Sequence, residues 1–199
     1  MLISKRLFDL FFTIPGVIIL TPLFVVIAIW IKTDSSGPAF FRQVRVGRFG
    51  KHFSIIKFRT MYLNAEATGR QITVGEDPRI TRAGRFLRHY KLDELPQLLN
   101  VVIGEMSLVG PRPEVPKFVA LYPADIREQV LSVPPGITDY ASIEYKEENA
   151  LLGSVTDPDR AYVEEIMPIK LGYYQQYVAE RSLWVDLLLI MRTLRAIVS

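Results

Sequence analysis

The 199-residue sequence predicts an α+β domain, mostly helical, that is membrane-associated and monotopic through an N-terminal re-entrant helix and that carries a short β element. Three observations predict it. Residues 10–31 form a run of 22 residues without a charge, about the ~20 that a bilayer-crossing helix needs. Cations stand on both flanks, Lys5 and Arg6 before the run and Lys32, Arg42, Arg45, Arg48 and Lys51 after it, a distribution that places both ends on the cytoplasmic face. Downstream, two β-patterned runs around a glycine loop give way to segments with helical spacing.

A helix that enters a membrane and returns needs a break. Thr21-Pro22 supplies one near the middle, because proline removes a backbone bond and the threonine hydroxyl can bond back to a carbonyl. Pro15-Gly16 is a second weak point. A single-pass anchor is the simpler alternative, and the flanking charges disfavour it. The run is too long for a signal peptide, and the nearest small-x-small site, Ser35-Ser36-Gly37, runs into Pro38. The expected division is a membrane-embedded segment at 1–33 and a cytoplasmic domain at 34–199.

The cytoplasmic part opens with the turn DSSGPAFF. Two strands follow, one with Val44 and Val46 and one over residues 53–61, with GRFGK between them. Residues 63–70 read as a short helix, EDPRITRAG as turns, and RFLRHYKL as a brief basic amphipathic helix. In KLDELPQLLN, Leu92, Leu95, Leu98, Leu99 and Val102 recur at helical spacing. There Asp93 suits an N-cap and Pro96 a first helical turn. SLVGPRPEVPKF is a proline-punctuated loop leading to a helix near 115–122, LSVPPGITDYAS is another loop, and 158–180 is helical. The final run SLWVDLLLIMRTLRAIVS suits an interfacial helix. It equally suits one packed on the domain, because Asp186, Arg192 and Arg195 interrupt it.

Composition narrows the chemistry. With no cysteine, disulfides and thiolate metal sites are excluded, and His52 and His89 stand too far apart for a zinc pair. Any metal is then a hard, oxygen-bound cation. Residues 1–92 hold 15 Lys and Arg against 5 Asp and Glu, whereas 93–199 hold 9 against 16. The basic half calls for an anion. Nucleic acid is the poorer choice, because a 22-residue apolar run has no use there.

GRFGKHF lacks the spacing of a Walker loop. Three anion-binding candidates remain: Lys57 and Arg59 in KFRTM, Arg88 and Lys91 ahead of the carboxylates, and Arg112 in GPRP. Pro111 and Pro113 stiffen the backbone around Arg112, which favours bidentate phosphate binding. A structural ion pair is the competing role. The adjacent carboxylates Asp93 and Glu94 are the candidate catalytic pair, since a helix start holds phosphate against them and a carboxylate can attack phosphorus once its charge is offset.

KFRTM, LDELPQLLNVVIGEMSLVGPRP and PGIT, in this order behind an apolar segment with a central proline, resemble the bacterial sugar transferase family of small monotopic phosphoglycosyl transferases. The resemblance implies transfer of a sugar 1-phosphate from a UDP-sugar to a polyprenyl phosphate such as undecaprenyl phosphate, with release of UMP, as the first membrane step of surface glycan assembly. It implies Asp93 as nucleophile of a covalent phosphosugar intermediate and Glu94 as its partner. Mg²⁺ would be the cofactor, held at Asp93 and Glu94, with Arg112 on phosphate and the whole on the cytoplasmic face of a bacterial inner membrane. The family's re-entrant helix breaks at a Ser-Pro pair, which Thr21-Pro22 matches with threonine for serine. One stretch departs: residues 134–143 read PPGITDYASI where many members read RPGITGLAQV, so donor-sugar recognition there does not carry over. The acidic residues 144–149 suit either a solvated loop or contacts to a sugar. Two rival functions are a glycosyltransferase that releases UDP and a non-catalytic scaffold on anionic lipid.

Overall fold

The computed structural model describes residues 2–63, 77–144, 152–153, 155 and 157–198. Helix α1 (Leu2–Asp34) precedes the antiparallel hairpin β1 (Phe40–Val46) and β2 (His52–Phe58). Next come α2 (Arg82–His89), a 3₁₀ turn at Leu92–Glu94 and α3 (Gln97–Ile103). Strand β3 (Ser107–Val109) pairs in parallel with β4 (Gly136–Thr138), and α4 (Pro116–Val119) and α5 (Ala124–Val130) lie between them. The chain closes with α6 (Tyr140–Glu144), α7 (Pro158–Ala161), a π-helical stretch at Tyr162–Ile166, α8 (Met167–Glu180) and α9 (Leu183–Val198). The mostly helical α+β reading holds, with two small sheets where one β element was expected.

Helix α1 runs unbroken through Pro15 and Pro22. The Thr21 hydroxyl donates to the Val17 carbonyl at 2.8 Å, the back-bond expected beside Pro22. Leu7, Phe11, Ile18, Ile19, Val26 and Ile29 are each at least 60% exposed, an apolar outer face with no protein cover. The inner face is tied down at both ends. Near the N-terminus Lys5 donates to Asp186 on α9 at 2.7 Å, Arg6 donates to the Val102 carbonyl at 2.8 Å, and Asp9 accepts from the Leu108 amide at 3.2 Å. Near the C-terminus Phe24, Ile27 and Ile31 pack with Phe58 and Leu87, and Leu20, Leu92 and Leu95 border the same cluster.

The hairpin pairs Phe40 with Phe58 and Val46 with His52, so the second strand is shorter than the expected 53–61; Met61 makes only an isolated bridge to Ile80. Asn100, fully buried in α3, splints β2: its side chain accepts from the Ile56 amide at 3.0 Å and donates to the Ser54 carbonyl at 2.9 Å. The basic helix falls three residues earlier than RFLRHYKL suggested, because the Thr81 hydroxyl caps its start at Gly84. The 115–122 helix is only Pro116–Val119, and α5 follows where none was expected. The 63–70 helix lies almost wholly outside the described residues, as do 145–149 of the acidic stretch. Helix α9 packs on the domain through Asp186 and Leu189, while Trp184, Met191 and Leu194 face outward.

The stretches read as loops, SLVGPRP and PGIT, are the two strands of the parallel pair, joined so closely that a Cβ on Gly136 would lie 2.0 Å from the Gly110 nitrogen. No side chain fits between those backbones. Gly136→Ala is expected to lower the melting temperature in detergent by the equivalent of about 3 kcal/mol or more. Gly172→Ala, in α8 with nothing within 4 Å of its Cβ, is expected to raise stability by about 0.5–1 kcal/mol. Thermal unfolding of the pair checks both signs.

Candidate active site

The turn at Leu92–Glu94 is where the sequence changes from basic helix to carboxylates, and it is built from strain and apolar anchors together. Lys91 enters it with φ 55°, a left-handed conformation uncommon for a residue with a side chain. Leu92 and Leu95 border the cluster formed by α1, β2 and α2. Asp93 caps no helix: α3 starts at Gln97 with Pro96 before it and no side-chain cap. The N-cap role is therefore corrected. The chain spends its first turn after Lys91 as a 3₁₀ segment that aims Asp93 and Glu94 sideways instead of along α3.

Glu94 is held from two sides. Lys57 of β2 donates to its Oε1 at 2.7 Å, and Arg112 of the GPRP loop donates to both oxygens, 3.1 Å at Oε2 and a second contact at Oε1. Burial alone would raise this carboxyl, but Arg112 and Lys57 outweigh it and hold it well below the ordinary glutamate range. Glu94 in return is the main cause that raises Arg112 above its ordinary value. Lys57 is lowered by burial, with Glu94 opposing. The ion-pair role considered for Arg112 is thus its resting state, and its partner is the dyad itself.

Asp93 is the opposite member. It is only 7% exposed, and none of the hydrogen bonds among the described residues reaches its carboxylate. Burial raises its carboxyl, the Glu94 charge adds to that, and Lys57, Arg88 and Lys91 pull it back. Two neighbouring carboxyls have been separated: one is locked as an anion, the other is left without a hydrogen bond and within the field of three cations.

Of the candidate cations, Lys57, Arg88 and Arg112 converge on the dyad. Arg59 does not. Its guanidinium binds the carbonyls of Ile31, Ser35 and Ser36 and the Ser35 hydroxyl, which ties β2 to the end of α1. The Thr21 hydroxyl bonds within α1, to the Val17 carbonyl, and not to the turn. Other residues that shape the site were not singled out by sequence. Asp139, in the divergent stretch, accepts from the Arg112 amide at 2.9 Å and from the Ser142 amide. Arg45 donates to the Pro113 carbonyl at 3.0 Å and lies 3.5 Å from buried Glu114, which accepts from the Tyr162 hydroxyl at 2.6 Å. The GPRP loop is therefore fixed at its backbone on both sides of Arg112. The signal available was the acid directly after GPRP and the Asp that replaces glycine after PGIT.

A carboxylate with no hydrogen bond among the described residues thus stands beside two cations that share a second carboxylate, on a domain whose long apolar helix has an exposed outer face. Residues 1–199 match the bacterial sugar transferase family, and the chain belongs to that family. It is 36% identical over 197 residues to the UDP-N-acetylgalactosamine-undecaprenyl-phosphate N-acetylgalactosaminephosphotransferase of Aeromonas hydrophila, covering 98% of this chain and 44% of the relative. It is 36% identical over 200 residues to the undecaprenyl-phosphate glucose phosphotransferase of Komagataeibacter xylinus, covering 98% of this chain and 36% of that one. A UDP-glucose:undecaprenyl-phosphate glucose-1-phosphate transferase of Caulobacter vibrioides is 35% identical over 199 residues, covering 99% of this chain and 70% of the relative. The chain thus spans less than half the length of the first two.

The two carboxyls oppose each other in stability. Glu94, held below its unfolded value, stabilises the fold above about pH 4.3 and loses that contribution as pH falls through its folded pKa. Asp93, raised on folding, costs stability when ionised at neutral pH, and the cost disappears as pH falls through its raised pKa. Asp93→Asn is expected to melt above the parent protein at about pH 7.5, with the gain shrinking on acidification. Glu94→Gln is expected to lose roughly 3 kcal/mol, because Lys57 and Arg112 keep their charge without its partner. Melting curves between about pH 5 and 8 separate the two.

Proposed function

We propose that this chain moves a sugar 1-phosphate from a UDP-sugar to undecaprenyl phosphate and releases UMP, by way of a covalent intermediate on Asp93. The observation that carries the reading is the unbonded Asp93 carboxylate beside Glu94, whose charge already satisfies Lys57 and Arg112. The three relatives named above, each an undecaprenyl-phosphate sugar phosphate transferase, support the substrate classes.

In the first step an Asp93 oxygen attacks the phosphorus that bears the sugar, and the bond from that phosphorus to the bridging oxygen breaks, so UMP leaves with the electron pair. In the second step an oxygen of the prenyl phosphate attacks the same phosphorus, and the bond to Asp93 breaks to restore the carboxylate. A phosphate monoester with a second pKa near ~6 is largely a dianion at neutral pH, so no base is needed to prepare it. Lys57 and Arg112 orient the diphosphate and offset charge as it develops. Attack requires ionised Asp93, so its raised carboxyl gives the rate an acid limb.

Asp93 and Glu94 also suit Mg²⁺, which binds through one or two carboxylates and otherwise through phosphate and water. Among the described residues no group of three or more His, Asp or Glu side chains is placed to hold a metal ion. When bound, Mg²⁺ would screen the diphosphate charge that repels a carboxylate.

The re-entrant arrangement follows from how α1 is held. Lys5 and Asp9 near one end and Ile31 near the other are all buried on the same domain. A helix spanning a bilayer of ~30 Å would leave one end on the far side, so we read α1 as dipping into one leaflet and returning as a continuous helix, bent at Thr21-Pro22 without the full break expected there. With cations at both ends, the domain sits on the cytoplasmic face of the inner membrane.

Protein purified in lipid, given Mg²⁺, undecaprenyl phosphate and a panel of UDP-sugars, is expected to release UMP with one or a few donors. Asp93→Asn is expected to lower the rate by more than ~10³-fold. UDP as the product contradicts the reading in favour of ordinary glycosyl transfer. Prenyl-phosphate binding with no turnover, unchanged in Asp93→Asn and weakened smoothly by salt, would indicate the scaffold.

A further inference from the structure

Gln97 opens α3 and is only 1% exposed, yet its carboxamide nitrogen has no hydrogen-bond partner among the described residues. Burying an amide donor without a partner is destabilising. Packing alone does not call for this residue. Leu95 before it borders one apolar cluster and Val101 after it belongs to another, and a methionine would fill the same length with no amide to satisfy.

The backbone from Asp93 to Gln97 follows one continuous helical path. Leu95 and Pro96 are both right-handed helical, and the Leu98 and Leu99 amides donate to the Leu95 and Pro96 carbonyls. Residues three apart on such a path share a face, so Glu94, Gln97 and Asn100 form one row. Both ends of the row meet β2: Glu94 accepts from Lys57, and Asn100 bonds the backbone of Ser54 and Ile56. Gln97 lies between them, and a helical side chain leans toward the preceding turn, here toward Glu94.

Binding of the donor would strand Glu94. Its charge is satisfied by Lys57 and Arg112, and these are the cations that orient the diphosphate in the function proposed above. As they turn to phosphate, a partly buried carboxylate is left short of donors, which is unfavourable. We propose that the Gln97 carboxamide is the reserve donor for Glu94, taking up its carboxylate when substrate phosphate draws Lys57 and Arg112 away. Gln97 is thereby a positioning residue for donor binding that acts through Glu94, and this rests on the diphosphate donor proposed above. A neutral amide suits the role, because it satisfies the carboxylate and leaves the charge of both cations to the diphosphate. The unsatisfied amide of the free protein is relieved when the site is loaded.

Gln97→Met removes the amide and keeps the length. Without ligand it is expected to melt at or above the parent temperature, because the free protein loses no bond. With Mg²⁺ present, titration calorimetry is expected to show UDP, the probe for the donor diphosphate, binding about tenfold more weakly than to the parent. In a Glu94→Gln background the same change is expected to alter UDP affinity by less than about twofold, since the carboxylate it serves is already gone. A Gln97→Met protein that fails to fold or melts well below the parent, an unchanged UDP affinity, or an equal loss in the Glu94→Gln background overturns the reserve donor and leaves the activity standing. Absence of both UDP binding and UMP release in the parent would instead strike the function on which it rests.

Discussion

Glu94 accepts hydrogen bonds from Lys57 and from both terminal nitrogens of Arg112, and the three residues come from β2, the 3₁₀ turn and the loop after β3. This one carboxylate joins segments that the chain keeps up to 55 positions apart, from Lys57 to Arg112. Two partly buried cations side by side repel each other; the shared anion lets them converge. It also determines what Asp93 becomes. Asp93 has no hydrogen bond among the described residues, and its carboxyl lies above its ordinary range, first through burial and then through the neighbouring Glu94 charge.

That ion cluster stands on apolar ground supplied by the membrane helix. Leu92 and Leu95, on either side of the dyad, border the cluster of Phe24, Ile27, Ile31, Phe58 and Leu87. Burying each large side chain there contributes about 1.5–3 kcal/mol, so α1 serves as part of the core as well as a membrane segment. Its other end is secured by charge: Lys5 meets Asp186, and the Tyr177 hydroxyl lies 2.8 Å from the same carboxylate and 3.0 Å from the Val109 carbonyl. Val109 leads directly into Gly110 and the GPRP loop. The position of α1 and that of Arg112 are thereby linked through a few buried contacts.

Much of this was legible in the residues. The long apolar helix and the hairpin around GRFGK formed where the sequence put them, because each is a local pattern with a local cause, and Arg112 took the ion pair weighed for it. What escaped depended on distant pairing. Three-residue strands carry no periodicity, so SLV and GIT read as loops until Gly110 and Gly136 were brought together. Arg59 shares a motif with Lys57, and strand alternation would put residues two apart on one face, but β2 ends at Phe58 and Arg59 turns to the carbonyls at the end of α1. Asp139 stood out in sequence only as a departure from the family pattern. In the structure it bonds the Arg112 amide and steadies the loop that presents the guanidinium. Nothing short of the fold relates positions 112 and 139.

The central claim is that Asp93, and not its charged neighbour, forms the bond to phosphorus. Mass spectrometry of the protein incubated with Mg²⁺ and an accepted UDP-sugar, without prenyl phosphate, tests it most directly. The account predicts one added sugar phosphate on the peptide that contains Asp93, absent in Asp93→Asn and discharged when undecaprenyl phosphate is supplied. An adduct on Glu94 or any other residue, or steady product formation with no adduct detectable on rapid quenching, would contradict it.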